Sequence, residues 1–308
     1  MQERTFADSR SWAEYRAILA RAFGLAFPCE PDERFREMRG HRVRYDLWES
    51  VGETQGTLVL VHGGGGNGRV LAPAALPALA AGWRVVAPDL PGYGLTAPAP
   101  GFDWDIAEWP RVVADFARAE PGPVVLMGLS LGGMVAALAA EAEQRVAGVI
   151  ATTLVDPSDP AIFDRIARWR WLGRASRVAF RLAPGLVDRL RLPLALATPL
   201  AAMTSDPELA RWFARDPLIG RRRIPARFFR SIHEAAPARR LSCPLLLVHP
   251  GADAWTPTAL SLPAFEPLRA PDKRLVELTN GAHLPLEQPA FAELGAAVRS
   301  FLHKIALA

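Results

Sequence analysis

The run Gly128-Leu129-Ser130-Leu131-Gly132-Gly133 follows an apolar stretch, Val124 to Met127, and opens a helical pattern through Met134 and Ala140. A G-x-S-x-G run between a strand and a helix is the context in which a serine becomes a nucleophile. The turn is so sharp that the serine takes a strained backbone conformation. Side chains two positions to either side would collide, which accounts for Gly128 and Gly132. The strain lifts the hydroxyl clear of the sheet, and the helix N-terminus beneath it offers free N–H groups and a partial positive charge. A Gly-rich helix start with a capping serine would match the same five residues, so the case for Ser130 depends on its partners.

A serine hydroxyl attacks poorly until a base takes its proton. The chain has six histidines: His41, His62, His233, His249, His283 and His303. His283 lies in Asn280-Gly281-Ala282-His283-Leu284-Pro285, a loop between the last strand pattern and the last helix pattern. In a parallel sheet such a loop emerges at the carboxyl ends of the strands, beside the serine turn. His283 is therefore the expected base, against a reading as an ordinary loop histidine. Its acid should follow the preceding strand, and Asp253 does, in His249-Pro250-Gly251-Ala252-Asp253-Ala254-Trp255-Thr256-Pro257. That carboxylate would fix the imidazole tautomer and stabilise the imidazolium. Asp156, after an earlier strand, is the rival.

The stretch Thr57 to Val61 ends in His62-Gly63-Gly64-Gly65-Gly66-Asn67-Gly68. A phosphate-binding loop would need Lys then Ser or Thr after its last glycine, whereas this run continues Arg69-Val70. It instead resembles the His-Gly-Gly-Gly type that gives a backbone N–H to an oxyanion. The N–H of Gly64, or alternatively Gly65, is expected to join that of Leu131, each donor being worth on the order of 10² to 10³ in rate. His62 is expected to hold the loop.

Strand-like runs recur at Arg42–Trp48, Thr57–Val61, Trp83–Ala87, Val124–Met127, Val146–Thr152, Leu245–Val248 and Arg274–Leu278. Helical patterns at 70–81, 106–118, 131–143 and 289–304 separate most of them. Apolar strands alternating with helices predict an α/β fold: a mostly parallel central sheet with helices on both faces. The alternation fails between about Asp156 and Arg240, where Ile162, Ile166 and Trp169 suggest a helical stripe. Residues 157–240 are read as an inserted helical cap, helical throughout, between core segments 41–156 and 241–308. Residues 1–40 are read as a mostly helical N-terminal extension with one helix at 12–23.

The 308 residues carry a formal charge of +4, with arginines and acids mixed along the chain and no nucleic-acid recognition motif, so no nucleic-acid partner is expected. Residues 1–10 have no apolar signal core, and the uncharged run 121–140 reads as buried strand, turn and helix rather than a membrane span. Cys29 and Cys243 suggest two free thiols in a reducing compartment, and the cytoplasm is the expected location. No metal-ligand spacing is present and no cofactor is implied. Oligomeric state leaves no trace in the sequence.

Together these residues resemble the α/β-hydrolase superfamily, over about residues 40–156 and 241–305. Asp89-Leu90-Pro91-Gly92-Tyr93-Gly94 is similar to the family's Asp-x-x-Gly-x-Gly loop, and the segments at 243–257 and around His283 look like those of its esterase and monoacylglycerol-lipase-like branch. Epoxide hydrolases and haloalkane dehalogenases carry Asp where this chain has Ser130, and proline iminopeptidases usually show Gly-Gly-Ser-Trp-Gly at the elbow. The resemblance implies a serine esterase cleaving a carboxylic ester, thioester or lactone of a small apolar substrate. Trp169, Trp212 and Phe229 of the cap are the expected substrate contacts, with Trp171, Leu172, Phe180 and Phe228 adding apolar surface. Arg221-Arg222-Arg223 is read as a solvated face, or else as a site for an anion or membrane surface. The alternatives are other Ser-triad chemistry on this fold (C–C bond hydrolysis, amide cleavage, perhydrolysis) and a non-catalytic binding protein.

Overall fold

The computed structural model describes residues 5–7, 9–27 and 29–307. The start of the N-terminal extension, residues 1–4, lies outside them. An eight-stranded sheet forms the centre. Its strands are β1 (Asp32–Met38), β2 (His41–Trp48), β3 (Thr57–Val61), β4 (Arg84–Pro88), β5 (Val124–Gly128), β6 (Val146–Ala151), β9 (Leu245–His249) and β10 (Lys273–Glu277); β7 (Arg191–Pro193) and β8 (Arg223–Pro225) form a separate antiparallel ribbon. The order across the large sheet is β1-β2-β4-β3-β5-β6-β9-β10. From β4 to β10 every neighbouring pair is parallel, while β1, β2 and β4 pair antiparallel.

The central strands are apolar because both faces are covered. Every residue of β3, β5 and β9 is buried. The helices Ala72–Leu79 and Ala290–Ala306 pack against each other, as do Glu108–Ala119 and Leu131–Ala142, so the sheet is sandwiched. All four follow the expected helical patterns to within two residues.

The boundary expected at residue 40 falls inside the β1–β2 hairpin, where Met38 pairs with His41, so residues 32–38 belong to the sheet rather than to a helical extension. The sequence Asp-Glu-Arg-Phe-Arg-Glu-Met hides this edge strand because charges on both faces blur the two-residue period. The helix Arg10–Phe23 does form and ends on Gly24 in a left-handed conformation. It is pinned to the core through Tyr15, whose hydroxyl donates to the Val70 carbonyl at 3.0 Å.

Residues 157–240 are not helical throughout. They hold the helices Pro160–Ile166, Arg170–Leu182, Pro184–Val187, Leu194–Ala197, Pro207–Arg215 and Ala226–Glu234, and the β7–β8 ribbon. The ribbon strands are three residues long and end in proline, too short to carry a period. Ala167 is extended and ends the first of these helices, so the stripe through Ile162 and Ile166 does not reach Trp169.

Candidate active site

Ser130 follows β5, one of the two central strands of the parallel run, and has φ 58° and ψ −132°. That conformation is costly for any residue with a side chain, and neighbouring packing must hold it. A Cβ on Gly128 would strike the Gly132 carbonyl, and one on Gly132 would strike the Val61 carbonyl at the end of β3. Both glycines are required because three backbone segments converge under the serine. The Ser130 N–H donates to Thr152 Oγ1 at 3.3 Å, tying the turn to the end of β6.

Asp253 follows β9 and His283 follows β10, as the sequence order suggests. His283 Nδ1 lies 2.7 Å from Asp253 Oδ2. A carboxylate only accepts, so Nδ1 carries the proton and Nε2 presents a lone pair. The carboxylate is held on every side. Its Oδ1 accepts the N–H groups of Trp255 and Thr256 at 2.9 Å each, and its Oδ2 also accepts the Thr256 hydroxyl at 2.7 Å. Burial pushes the Asp253 pKa up, but the hydrogen bond and charge of His283, with the bonds from Thr256, outweigh it and hold the group near 2. The Trp255 ring packs on the imidazole, centroids 4.6 Å apart, and its Nε1 donates to the Ile166 carbonyl at 2.9 Å.

His283 Nε2 is buried and has no hydrogen-bond partner among the described residues. The series therefore runs unbroken from Asp253 to His283 and is open between His283 and Ser130. Apo serine hydroxyls commonly stand this way and close on the imidazole once substrate is present. Asp156, the rival acid, is turned to its own loop, where its Oδ1 accepts the N–H and hydroxyl of Ser158 at 2.9 and 2.6 Å.

On the other side of Ser130, a Cβ on Gly63 would lie 2.8 Å from Ser130 Cβ and 3.1 Å from the Leu131 nitrogen, so the glycine loop passes directly against the serine turn. Gly64 comes next and lines the same cavity as Ser130 and Leu131. The N–H groups of Gly64 and Leu131 are unbonded among the described residues. Gly65 instead sits beneath Leu194 of the inserted segment, whose side chain a Cβ there would overlap. His62 holds the loop. Its Nε2 accepts the Leu90 N–H at 2.9 Å, so its proton is on Nδ1, which donates to the Gly63 carbonyl at 2.8 Å. Burial pushes its pKa down to about 4, and the imidazole stays neutral.

Ser130 opens onto a cavity of about 340 Å³ with no charged side chain in its wall. The inserted segment supplies much of that wall, including Phe163, Leu172, Phe180, Leu194, Phe228 and Phe229. Two of the three expected substrate contacts lie elsewhere. Trp169 is 44% exposed and stacks on Trp171 at the surface, where the helix break at Ala167 leaves it. Trp212 is buried but stacks on Tyr15 of the N-terminal helix, centroids 4.6 Å apart. Phe229 is the one of the three in the wall. Nor are the three arginines at 221–223 uniformly solvated, since Arg222 is half-buried and donates to the Gly94 carbonyl at 3.2 Å. Trp255, Thr256, Thr152 and Tyr93 all shape the site and are invisible as such in the sequence, although Trp255, Thr256 and Tyr93 lie within the motifs that drew attention.

A model of the alpha/beta hydrolase family matches residues 58–293, from the start of β3 to beyond His283. The chain belongs to the α/β-hydrolase family. Its relatives place it in the branch of esterases and monoacylglycerol lipases. It is 30% identical over 237 residues to the pimeloyl-[acyl-carrier protein] methyl ester esterase of Aeromonas hydrophila, covering 74% of this chain and 88% of that protein. It is 28% identical over 243 residues to the monoacylglycerol lipase of Mycolicibacterium smegmatis, covering 74% and 81%. The fold matches the crystal structure of Paleococcus ferrophilus monoacylglycerol lipase with a TM-score of 0.67 at 24% identity, over 86% of this chain and 99% of that one. A monoglyceride lipase variant from Saccharomyces cerevisiae gives 0.72 at 18% identity, over 92% and 98%. Among the described residues of this α/β-hydrolase, no helix is long and apolar enough to cross a membrane.

Proposed function

We propose that this α/β-hydrolase cleaves carboxylic esters, thioesters and lactones falling in the same class, through an acyl-enzyme on Ser130. The observation that carries the reading is the imidazole of His283, on the loop after β10, tied through Nδ1 to a fully bonded carboxylate and free at Nε2, together with a serine held at φ 58° at the end of β5. As substrate enters, Ser130 Oγ bonds to the carbonyl carbon and its proton passes to His283 Nε2. The carbonyl oxygen becomes an oxyanion, received by the N–H groups of Leu131 and Gly64. Asp253 stays ionised and stabilises the imidazolium. Collapse of the adduct breaks the bond to the leaving oxygen, which takes the proton from Nε2. Water then attacks the acyl-enzyme, giving its proton to the same nitrogen, and the acid departs as Ser130 recovers its hydrogen.

The substrate class follows from the cavity. A volume of about 340 Å³ with an uncharged wall suits the small, largely apolar acyl part of an ester. The names of the relatives, a methyl ester esterase and a monoacylglycerol lipase, support ester cleavage. The unpaired Cys29 and Cys243 support the cytoplasm as the place of action.

The test is a panel of p-nitrophenyl esters of rising chain length, run beside anilides and diketones, for the wild type and Ser130→Ala. Esters are expected to turn over, and the variant to lose roughly 10⁴ to 10⁶ in kcat. A fluorophosphonate probe should label the wild type at Ser130. Wild-type ester turnover by Ser130→Ala, or a preference for anilides or diketones, would overturn the proposal.

A further inference from the structure

Tyr93 lies in the loop after β4, is fully buried, and lines the catalytic cavity. Its ring is fixed by His62, Trp109 and Phe228, with centroids 5.8, 5.1 and 5.6 Å away. Its hydroxyl has no hydrogen-bond partner among the described residues. The other buried aromatics nearby behave differently. Tyr15, Trp109, Trp212 and Trp255 each donate to a backbone carbonyl, at 2.9 to 3.2 Å. A phenylalanine would fill the same space as Tyr93 without a desolvated, unbonded hydroxyl, so folding gives no reason for the oxygen. Burial raises the phenol pKa, so the group stays protonated and is a donor in search of an acceptor.

The order of the sheet says which part of a substrate could provide one. The loops carrying Tyr93, Gly64, Ser130 and Thr153 leave four adjacent strands in the order β4, β3, β5, β6, and His283 arrives from the far side, beyond β9. On the ester-hydrolase reading, which this inference rests on and refines, the leaving group must meet His283 and so lies on the β6 side. The acyl chain then runs past Gly64 towards Tyr93. We propose that Tyr93 is a specificity-determining residue whose hydroxyl donates a hydrogen bond to an oxygen carried on the acyl chain, so that the preferred substrates are esters of oxygen-bearing acids rather than of plain fatty acids. A site built around a buried hydrogen-bonding group discriminates against the analogue that leaves it unpaired.

The experiment compares p-nitrophenyl hexanoate with a series in which an ether oxygen replaces each chain methylene in turn, for the full chain and for Tyr93→Phe. Chemical reactivity differs along the series but cancels in the variant-to-wild-type ratio. For at least one oxygen position Tyr93→Phe is expected to lose about tenfold or more in kcat/KM relative to whatever it loses on hexanoate. The variant is also expected to melt no lower than the wild type, because an orphan hydroxyl has been removed. A second measurement needs no variant: wild-type kcat/KM, normalised to the hydroxide rate of each ester, should be highest where that oxygen sits. The same ratio at every position, or a normalised wild-type preference for hexanoate over the whole series, overturns the role of Tyr93 while leaving ester hydrolysis intact. No ester turnover together with no fluorophosphonate label on Ser130 overturns both.

Discussion

Asp253 accepts four hydrogen bonds, from two backbone N–H groups, one hydroxyl and one imidazole. Such a carboxylate cannot move or protonate without breaking several bonds at once, so it fixes the ring orientation and the tautomer of His283. Asn at this position keeps the shape and the backbone bonds but can turn its NH₂ to Nδ1, which must then accept. The proton moves to Nε2, where it blocks the uptake of the serine proton. Asp253→Asn is expected to lower kcat by about 10⁴ and, having lost the charge whose pKa the fold holds low, to unfold at a lower urea concentration than the wild type at neutral pH. Turnover within tenfold of wild type would mean that Asp253 does not set the tautomer. At this scale Ser130, Asp253 and His283 are legible in sequence because each follows a strand in a loop of turn-forming residues. Trp169 and Trp212 are not, because an apolar ring in a helix names no neighbour. One meets another tryptophan at the surface, and the other meets Tyr15 of a helix near the N-terminus.

The element that matters most is the junction of β5 with the helix Leu131–Ala142. The helix starts immediately after the serine and packs on β3, β5 and β6, so its N-terminus is fixed beneath Ser130. Gly132 allows this, since its backbone runs against the end of β3. Gly132→Ala places a methyl group on the Val61 carbonyl, and neither partner can give because both are backbone. The variant is expected to lose roughly 3 kcal/mol or more of unfolding free energy by urea titration, at the upper end of overpacking effects. It should also lose most of its activity, since the helix must pull back and take the Leu131 N–H with it. Wild-type stability and turnover would show that the junction has slack the geometry does not suggest. The junction is readable in sequence because it needs glycine at fixed offsets. The edge strand β1 and the β7–β8 ribbon are not, because neither has an unbroken apolar face long enough to display its period.

Over the whole molecule, neutral buried histidines make stability sensitive to acid well above the carboxylate range. His62 is fully buried, with its pKa near 4 against about 6.5 in an unfolded chain. His249 is also buried, which lowers its pKa, and its Nε2 has no partner among the described residues. Between pH 6.5 and 4 the unfolded chain binds a proton at residue 62 that the folded chain refuses. The contribution is therefore complete above pH 6.5 and is lost as the pH falls towards 4. For His62 the loss is on the order of 3 kcal/mol. Asp253, held near 2, keeps its own contribution through this range and loses it only between about pH 4 and 2. Asp89 and Asp216, pushed up by burial, act in the opposite sense and gain as the pH falls. The clean measurement is thus a difference. The urea midpoint is followed from pH 7 to pH 4 for the wild type and for His62→Gln, whose amide can still accept from Leu90 but does not titrate. The variant starts less stable and falls less steeply, the two curves converging towards pH 4. Parallel curves would mean that His62 does not resist protonation in the folded state, and the glycine loop it holds would then need another anchor.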